Sequence, residues 1–211
     1  MIIVLLGASG SGKSTIEHEL ATHHGFEKII SYTTRQPRDG EMNGREYYFT
    51  NNSTFTEMLN DRLFAEYDEY SQGRLYGTLK SDYVGGNKVV VLTPNGLRQI
   101  KKNCLNSEIY SVFIKANLGT RVKRYIDRCG VNKFDYDDKN EIAARVERDF
   151  SMFLGLEKDV DIVMYNNEGT DIEDLVNMIL QQIRGEVNLS YRSYANIWRK
   201  KRKCKRVEEQ S

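Results

Sequence analysis

The run Gly7-Ala8-Ser9-Gly10-Ser11-Gly12-Lys13-Ser14 constrains this chain more than any other feature, because the apolar stretch Ile2-Ile3-Val4-Leu5-Leu6 feeds it and a helical pattern leaves it. It matches G-x-x-x-x-G-K-[ST], a loop whose backbone N–H groups wrap a polyphosphate. Gly7, Gly10 and Gly12 permit backbone conformations closed to residues with a Cβ, so successive amides can converge on one anion. Lys13 supplies a point charge for the outer phosphates of a nucleoside triphosphate, and Ser14 a hydroxyl for its Mg²⁺. Thr15-Ile16-Glu17-His18-Glu19-Leu20-Ala21 then continues as a helix toward a stop at Gly25. Gly7 through Thr15 thus read as an ATP-binding segment, with Ser14 as the metal ligand.

The 211 residues suffice for one domain with a lid or appendage and a sizeable core. A hydrophobic fraction of 39% with 29% charged residues describes an ordinary globule. No apolar run approaches the ~18 residues that cross a bilayer, and Met1 leads straight into a core strand, so the expectation is a cytoplasmic protein without a membrane partner. Cys104, Cys129 and Cys204 are far apart and in no ligand spacing, which suits reduced thiols. His18, His23 and His24, with no carboxylate or cysteine at ligand spacing, read as solvent-facing.

Charge is uneven. Arg199 to Arg206 holds seven basic residues; setting these and the two acidic residues behind them apart from the chain's 31 basic and 30 acidic leaves 24 basic against 28 acidic over residues 1–198. An acidic body that binds polyphosphate has to concentrate its cations locally, so clustered arginines are informative. The basic run itself reads as a solvated tail, with an arm for nucleic acid or another polyanion as the alternative. Tyr191, Tyr194 and Trp198 at helical spacing suggest a last helix before it.

Between loop and tail, apolar runs and amphipathic patterns alternate. Lys28–Ser31 reads as a short strand, Arg45–Thr50 as a β-prone stretch, Asn51 to about Leu59 as a capped helix, and Phe64–Tyr70 with Arg74–Thr78 as a strand pair. Lys88–Leu92, halted by Pro94-Asn95-Gly96, Ile109–Ala116 and Asp161–Tyr165 read as buried parallel strands. Leu97–Lys102, Thr120–Arg128, Lys139–Phe153 and Asp171–Ile183 read as helices. The pattern predicts an α/β fold: a P-loop-type parallel sheet flanked by helices, with an inserted, mostly β piece and a helical lid. The expected domain covers residues 1–185, with a core of 1–30, 79–127 and 146–185, an insertion of 31–78 and a lid of 128–145. Residues 186–211 form the terminal helix and basic tail.

Within the insertion, Arg35 and Arg38 lie among prolines, glycines and the hydroxyls of Ser31, Thr34 and Tyr47, a set suited to a second phosphate dianion. The whole pattern, Ser31-x-Thr33-Thr34-Arg35-x-Pro37-Arg38-x-Gly40-Glu41-x-x-Gly44-x-x-Tyr47-x-Phe49, resembles the guanylate kinase signature, and the resemblance extends to about residue 185. It implies that Ser31, Arg35, Arg38 and Tyr47 hold a nucleoside monophosphate's phosphate. Phe64-Ala65-Glu66-Tyr67 resembles the family's strand with a guanine-reading carboxylate, which would be Glu66. Tyr76-Gly77-Thr78 resembles its Tyr-Gly-Ser, with Thr78 facing the base. Arg124-x-x-x-Arg128 and Ala144-Arg145-Val146 resemble the lid; Arg128 and Arg145 are the best matches there, and Arg148 lies one turn on.

The resemblance implies phosphoryl transfer from Mg·ATP to GMP or dGMP, giving ADP and the diphosphate, with Lys13, Arg35, Arg128 and Arg145 as catalytic residues. Three departures accompany it. Val91-Leu92-Thr93-Pro94-Asn95-Gly96 stands where the family has acidic residues, the segment after Thr78 is short, and the lid carries the acidic insertion Asp135-Tyr136-Asp137-Asp138. The alternatives are a kinase for another nucleoside or deoxynucleoside monophosphate or a phosphorylated sugar, or a non-catalytic binding module of the same fold.

Overall fold

The computed structural model describes residues 1–71, 73–104, 107–129 and 136–185; the side chains at 71, 129, 136–139 and 141 lie outside that description. The basic tail, the aromatic residues 191, 194 and 198 and Cys204 therefore fall outside the described structure, as do Asp135 and the side chains at 136–138 of the acidic insertion.

Strand β1 (Ile2–Leu6) is buried along its whole length and pairs in parallel with β7 (Lys88–Val91) on one side and β8 (Ile109–Lys115) on the other. With β2 (Glu27–Lys28) and β9 (Ile162–Tyr165) this makes a five-stranded parallel sheet of order β2-β7-β1-β8-β9. Alternation along β1 sends Ile3 and Leu5 into the packing of α1 (Lys13–His23) and α6 (Ile172–Ile183), through Ile16, Leu20, Leu175 and Ile179. Ile2, Val4 and Leu6 point the other way, toward Leu97 and Ile100 of α3 (Pro94–Asn103) and Phe153 of α5 (Tyr136–Phe153). Such two-sided burial, about 1.5–3 kcal/mol per large apolar side chain, explains why the parallel strands read as unbroken apolar runs.

The inserted segment forms a separate four-stranded sheet, order β4-β3-β6-β5, from β3 (Tyr32–Thr33), β4 (Tyr48–Phe49), β5 (Phe64–Ser71) and β6 (Arg74–Leu79). Helix α2 (Asn52–Asn60) starts at Asn51, whose side chain accepts from Thr54 N–H, and stacks Phe55 on Phe64 at 4.5 Å between centroids. Where one strand was expected over Lys28–Ser31, β2 ends at Lys28 and β3 begins at Tyr32 in the other sheet. Ile29 N–H still donates to Val89 O, so the chain leaves the parallel ladder one residue past β2 before entering the other sheet.

Pro94-Asn95-Gly96 does stop β7, but as the first turn of α3 rather than as a loop. Thr93 caps that helix by accepting from Gly96 N–H, and proline costs nothing at a position whose N–H has no helical partner. Helix α3 also covers the edge strand β5: Gln99 brackets Tyr67 by accepting from its N–H and donating to its carbonyl, and Asn103 donates to Ala65 O. The two sheets are thereby held together at the C-terminal end of β7. Finally α4 (Leu118–Cys129) follows β8, and α5 leads toward β9.

Candidate active site

Loop residues 7–12 leave β1 between β7 and β8, at the C-terminal edge of the sheet where α/β folds place ligands. Gly12, the residue before α1, has φ 94°, and no side chain caps the helix, so the first-turn amides open toward the loop. A Cβ on Gly12 would lie 2.1 Å from Asn166 Nδ2, which itself donates to Ser11 O. Asn166, at the end of β9, therefore clamps the loop. Arg124 spans the same contact, donating to Gly10 O and to Asn166 Oδ1. The buried Ser11 hydroxyl has no hydrogen-bond partner in the described structure.

Lys13 folds back onto the loop, donating to Gly7 O at 2.6 Å and Ala8 O at 3.1 Å. Burial pushes its ammonium down to about 8, against the pull of Asp149. Asp149, 1% exposed on α5, accepts from Ser9 N–H and from Tyr70 OH, and pairs with Arg121 Nη2 at 2.5 Å. Arg121 in turn donates to Ser9 O, and Ser9 Oγ lies 3.2 Å from Tyr70 OH. The loop, α4, α5 and β5 thus meet around Ser9. Arg128 and Arg145 both lie over the Tyr125 ring, at 5.9 and 5.3 Å from its centroid, while Arg148 lies over Tyr70. Ala8 is partly exposed at the loop, and Ser14 and Thr15 are exposed.

On the inserted sheet, Arg35 is 7% exposed and stacks over the rings of Tyr47 and Phe49. Its Nη2 donates to both carboxylate oxygens of Glu41, and Arg38 donates to the same group through its backbone N–H. Although burial opposes it, these bonds hold Glu41 below the usual carboxylate range. Burial pushes the Tyr47 phenol up to about 12. Thr34 departs from the expected hydroxyl set: its Oγ accepts from Leu75 N–H, tying β6 to the loop after β3. Ser31 and Tyr76 are partly exposed, with Tyr76 packed edge-on against both Tyr47 and Tyr70.

Glu66 is 4% exposed, and burial raises its carboxyl to about 7 in spite of a 2.8 Å bond from Thr78 Oγ. Thr78 was expected to face the base; its one hydroxyl hydrogen is spent on Glu66, so Tyr83 OH, 2.7 Å away, donates to Thr78. Glu66 Oε2 also lies 2.6 Å from where a Cβ on Gly96 would be. Thr78 and Gly96 therefore aim the carboxylate from opposite sides.

Sequence reasoning missed Asp149, Arg121, Tyr70, Glu41 and Tyr83. Glu41 alone left a trace, as a fixed position of the 31–49 pattern; Asp149, Arg121 and Tyr70 meet partners far away in sequence, whereas Tyr83 meets Thr78 five residues away. The histidines depart from expectation mildly, since His23 Nδ1 lies 3.0 Å from Glu19 and His24 is partly buried. Cys104 is a free thiol. Among the described residues no three His, Cys, Asp or Glu side chains are grouped to hold a metal ion, and no helix is long and apolar enough to cross a membrane.

The family model described as guanylate kinase matches residues 1–183. The chain is 28% identical over 204 residues to a guanylate kinase of Lactobacillus johnsonii, covering 93% of this chain and 96% of that one. It is 38% identical over 109 residues to one of Lactobacillus delbrueckii subsp. bulgaricus, a match spanning 48% of this chain and about half, 53%, of the relative. The crystal structure of a guanylate kinase from Anaplasma phagocytophilum superposes with a TM-score of 0.65 at 22% identity, covering 88% of this chain and 85% of that one, a likeness of fold.

Proposed function

Because this chain belongs to the guanylate kinase family, we propose that it transfers the γ-phosphoryl group of Mg·ATP to the phosphate of GMP or dGMP, releasing ADP and GDP or dGDP. The observation that carries the reading is the buried Glu66 carboxylate, aimed by Thr78 and Gly96 on the inserted sheet, in a protein whose phosphate loop keeps Gly12, Lys13 and Ser14. A carboxylate accepts two N–H groups from guanine's Watson–Crick edge. Adenine offers a lone pair at the equivalent ring nitrogen and would leave Glu66 unpaired, a cost of about 1–3 kcal/mol.

The chemistry asks for no general base. A phosphate monoester has a second pKa of about 6, so the attacking oxygen is already anionic at neutral pH. The task is to bring two polyanions into line and neutralise charge on the group between them. Lys13 and the loop amides serve the triphosphate, Arg35, Arg38, Ser31 and Tyr47 the monophosphate, and Arg128 and Arg145 the transferring group. Ser14, a hard hydroxyl oxygen in the first turn of α1, would hold a Mg²⁺ that arrives on ATP, and that ion would supply positive charge to the phosphates. Glu41 holds Arg35 until a phosphate dianion competes for it. Closure of the lid, residues 128–145, would exclude water, which would otherwise accept the phosphoryl group. Retention of the lysine and the loop favours an enzyme over a binding module.

An ADP-release assay across GMP, dGMP, AMP, UMP, CMP and dTMP tests the reading. Turnover with GMP or dGMP well above the other acceptors is the expected result. Preference for a pyrimidine or adenine acceptor would overturn it.

A further inference from the structure

Strand β5 alternates so that Glu66, Asp68 and Tyr70 share one face, opposite Thr78 and Tyr76 of β6. At one end of this row Glu66 is aimed by Thr78; at the other, Tyr70 OH touches the phosphate loop at Ser9. Asp68 stands between them, half-buried, and is fixed by Thr93, the N-cap of α3. Thr93 Oγ donates to Asp68 Oδ2 at 2.5 Å while accepting from Gly96 N–H. The Thr93 hydroxyl hydrogen is thus committed to Asp68, its direction set by the α3 cap. Oδ1 of Asp68 takes the N–H of Glu69. Each oxygen keeps a lone pair for a further donor.

Guanine's Watson–Crick edge has three N–H hydrogens, one on the ring nitrogen and two on the exocyclic amine. A single carboxylate in plane with the base can take the ring hydrogen and one amine hydrogen. The other amine hydrogen needs a second acceptor, or a donor is left unpaired in the cleft. The end of β7, which carries Val91, Leu92 and Thr93 and no acidic residue, acquires a carboxylate from β5 of the inserted sheet through the Thr93–Asp68 bond.

Resting on the GMP reading above, we propose that Asp68 is a second base-reading residue, which accepts the remaining hydrogen of guanine's 2-amino group, and that Thr93 positions it. Asp68 then distinguishes guanine from hypoxanthine, which lacks that amine, while Glu66 distinguishes guanine from adenine.

The test compares kcat/KM for GMP, IMP and AMP in the wild type and in Asp68→Ala, Asp68→Asn, Thr93→Val and Asp68→Ala/Thr93→Asp, with near-UV circular dichroism as a check on folding. The wild type should prefer GMP over IMP. Asp68→Ala should lower kcat/KM for GMP roughly tenfold, through KM, and collapse the GMP/IMP ratio toward one, with the KM for ATP unchanged. Asp68→Asn, which keeps the bulk, should move the same ratio in the same direction should the alanine variant not fold. Thr93→Val should produce a smaller loss in that ratio, and the double variant, with a carboxylate returned to the end of β7, a partial recovery. An unchanged GMP/IMP ratio in folded Asp68→Ala or Asp68→Asn, with GMP still the wild type's acceptor, overturns this proposal and leaves the function standing. A wild type that does not phosphorylate GMP overturns both.

Discussion

Asp149 of helix α5 accepts a 2.9 Å hydrogen bond from the backbone N–H of Ser9, so a carboxylate from that helix occupies an amide of the phosphate loop. Alone, that charge would repel the triphosphate proposed to bind this loop. Arg121, paired with the same oxygen and donating to Ser9 O, neutralises it. Tyr70, from the inserted sheet, bonds to the other oxygen. One buried carboxylate therefore registers the three parts of the site against one another.

Removing that carboxylate should cost stability more than chemistry. Asp149→Ala leaves the Arg121 charge and two donors without their partner, a loss of about 3–5 kcal/mol for a broken buried pair. Urea denaturation should show a lower midpoint at an unchanged slope. A midpoint equal to the wild type's would mean that the pair contributes nothing net.

Lys13→Met should abolish transfer and leave the fold intact, because among the described residues the side chain bonds only to the loop carbonyls of Gly7 and Ala8. Its titration makes a second, independent readout. The ammonium, held at about 8 by burial, has to be charged to bind phosphates. Affinity for ATP should be flat below pH 8 and fall about tenfold per unit above it, with proton uptake on binding near pH 8 seen by calorimetry in buffers of different ionisation enthalpy. Pure proton release there would contradict the assignment.

Glu66 has the opposite sign. Its carboxyl, raised from 4.5 to about 7 by burial, keeps a proton in the folded protein that the unfolded chain loses, so stability falls as pH rises from about 4.5 to 7. Glu66→Gln removes that loss: thermal unfolding at pH 8 should occur at a higher temperature than in the wild type, with little difference near pH 4.5. Because reading guanine requires the ionised form, the wild type's KM for GMP should fall as pH rises through 7. A KM flat from pH 6 to 8 would place base recognition elsewhere.

Gly96→Ala tests the aim of that carboxylate without touching it. The new methyl would sit 2.6 Å from Glu66 Oε2 and displace it, while Gly96 N–H still caps α3. The KM for GMP should rise about 5- to 150-fold, the equivalent of about 1–3 kcal/mol for a mispaired polar group, with the KM for ATP unaltered. Equal changes in both would indicate a general disturbance of the fold.

The parts of this protein legible in its sequence are those whose physics is local. The glycine spacing before Lys13, the apolar run of β1, the Asn51 cap and the strand pair from Phe64 to Thr78 each follow from residues within a few positions of one another, and Arg35, Arg38, Tyr47 and Glu66 sit in patterns of fixed spacing. The split of Lys28–Ser31 between two sheets was not legible, since an apolar strand pattern does not say which ladder its hydrogen bonds will join.

Tertiary structure alone decided how the site is held. Ser9 meets Asp149 across 140 residues and Tyr70 across 61, Asn166 reaches Ser11 across 155, and Thr93 meets Asp68 across 25. Such contacts leave no periodicity to read, because they form only where separate crossovers return to the same edge of the parallel sheet. The chemical groups were written in the chain, whereas their protonation and aim, an ammonium near 8 and a carboxyl near 7, come from the burial that this convergence imposes.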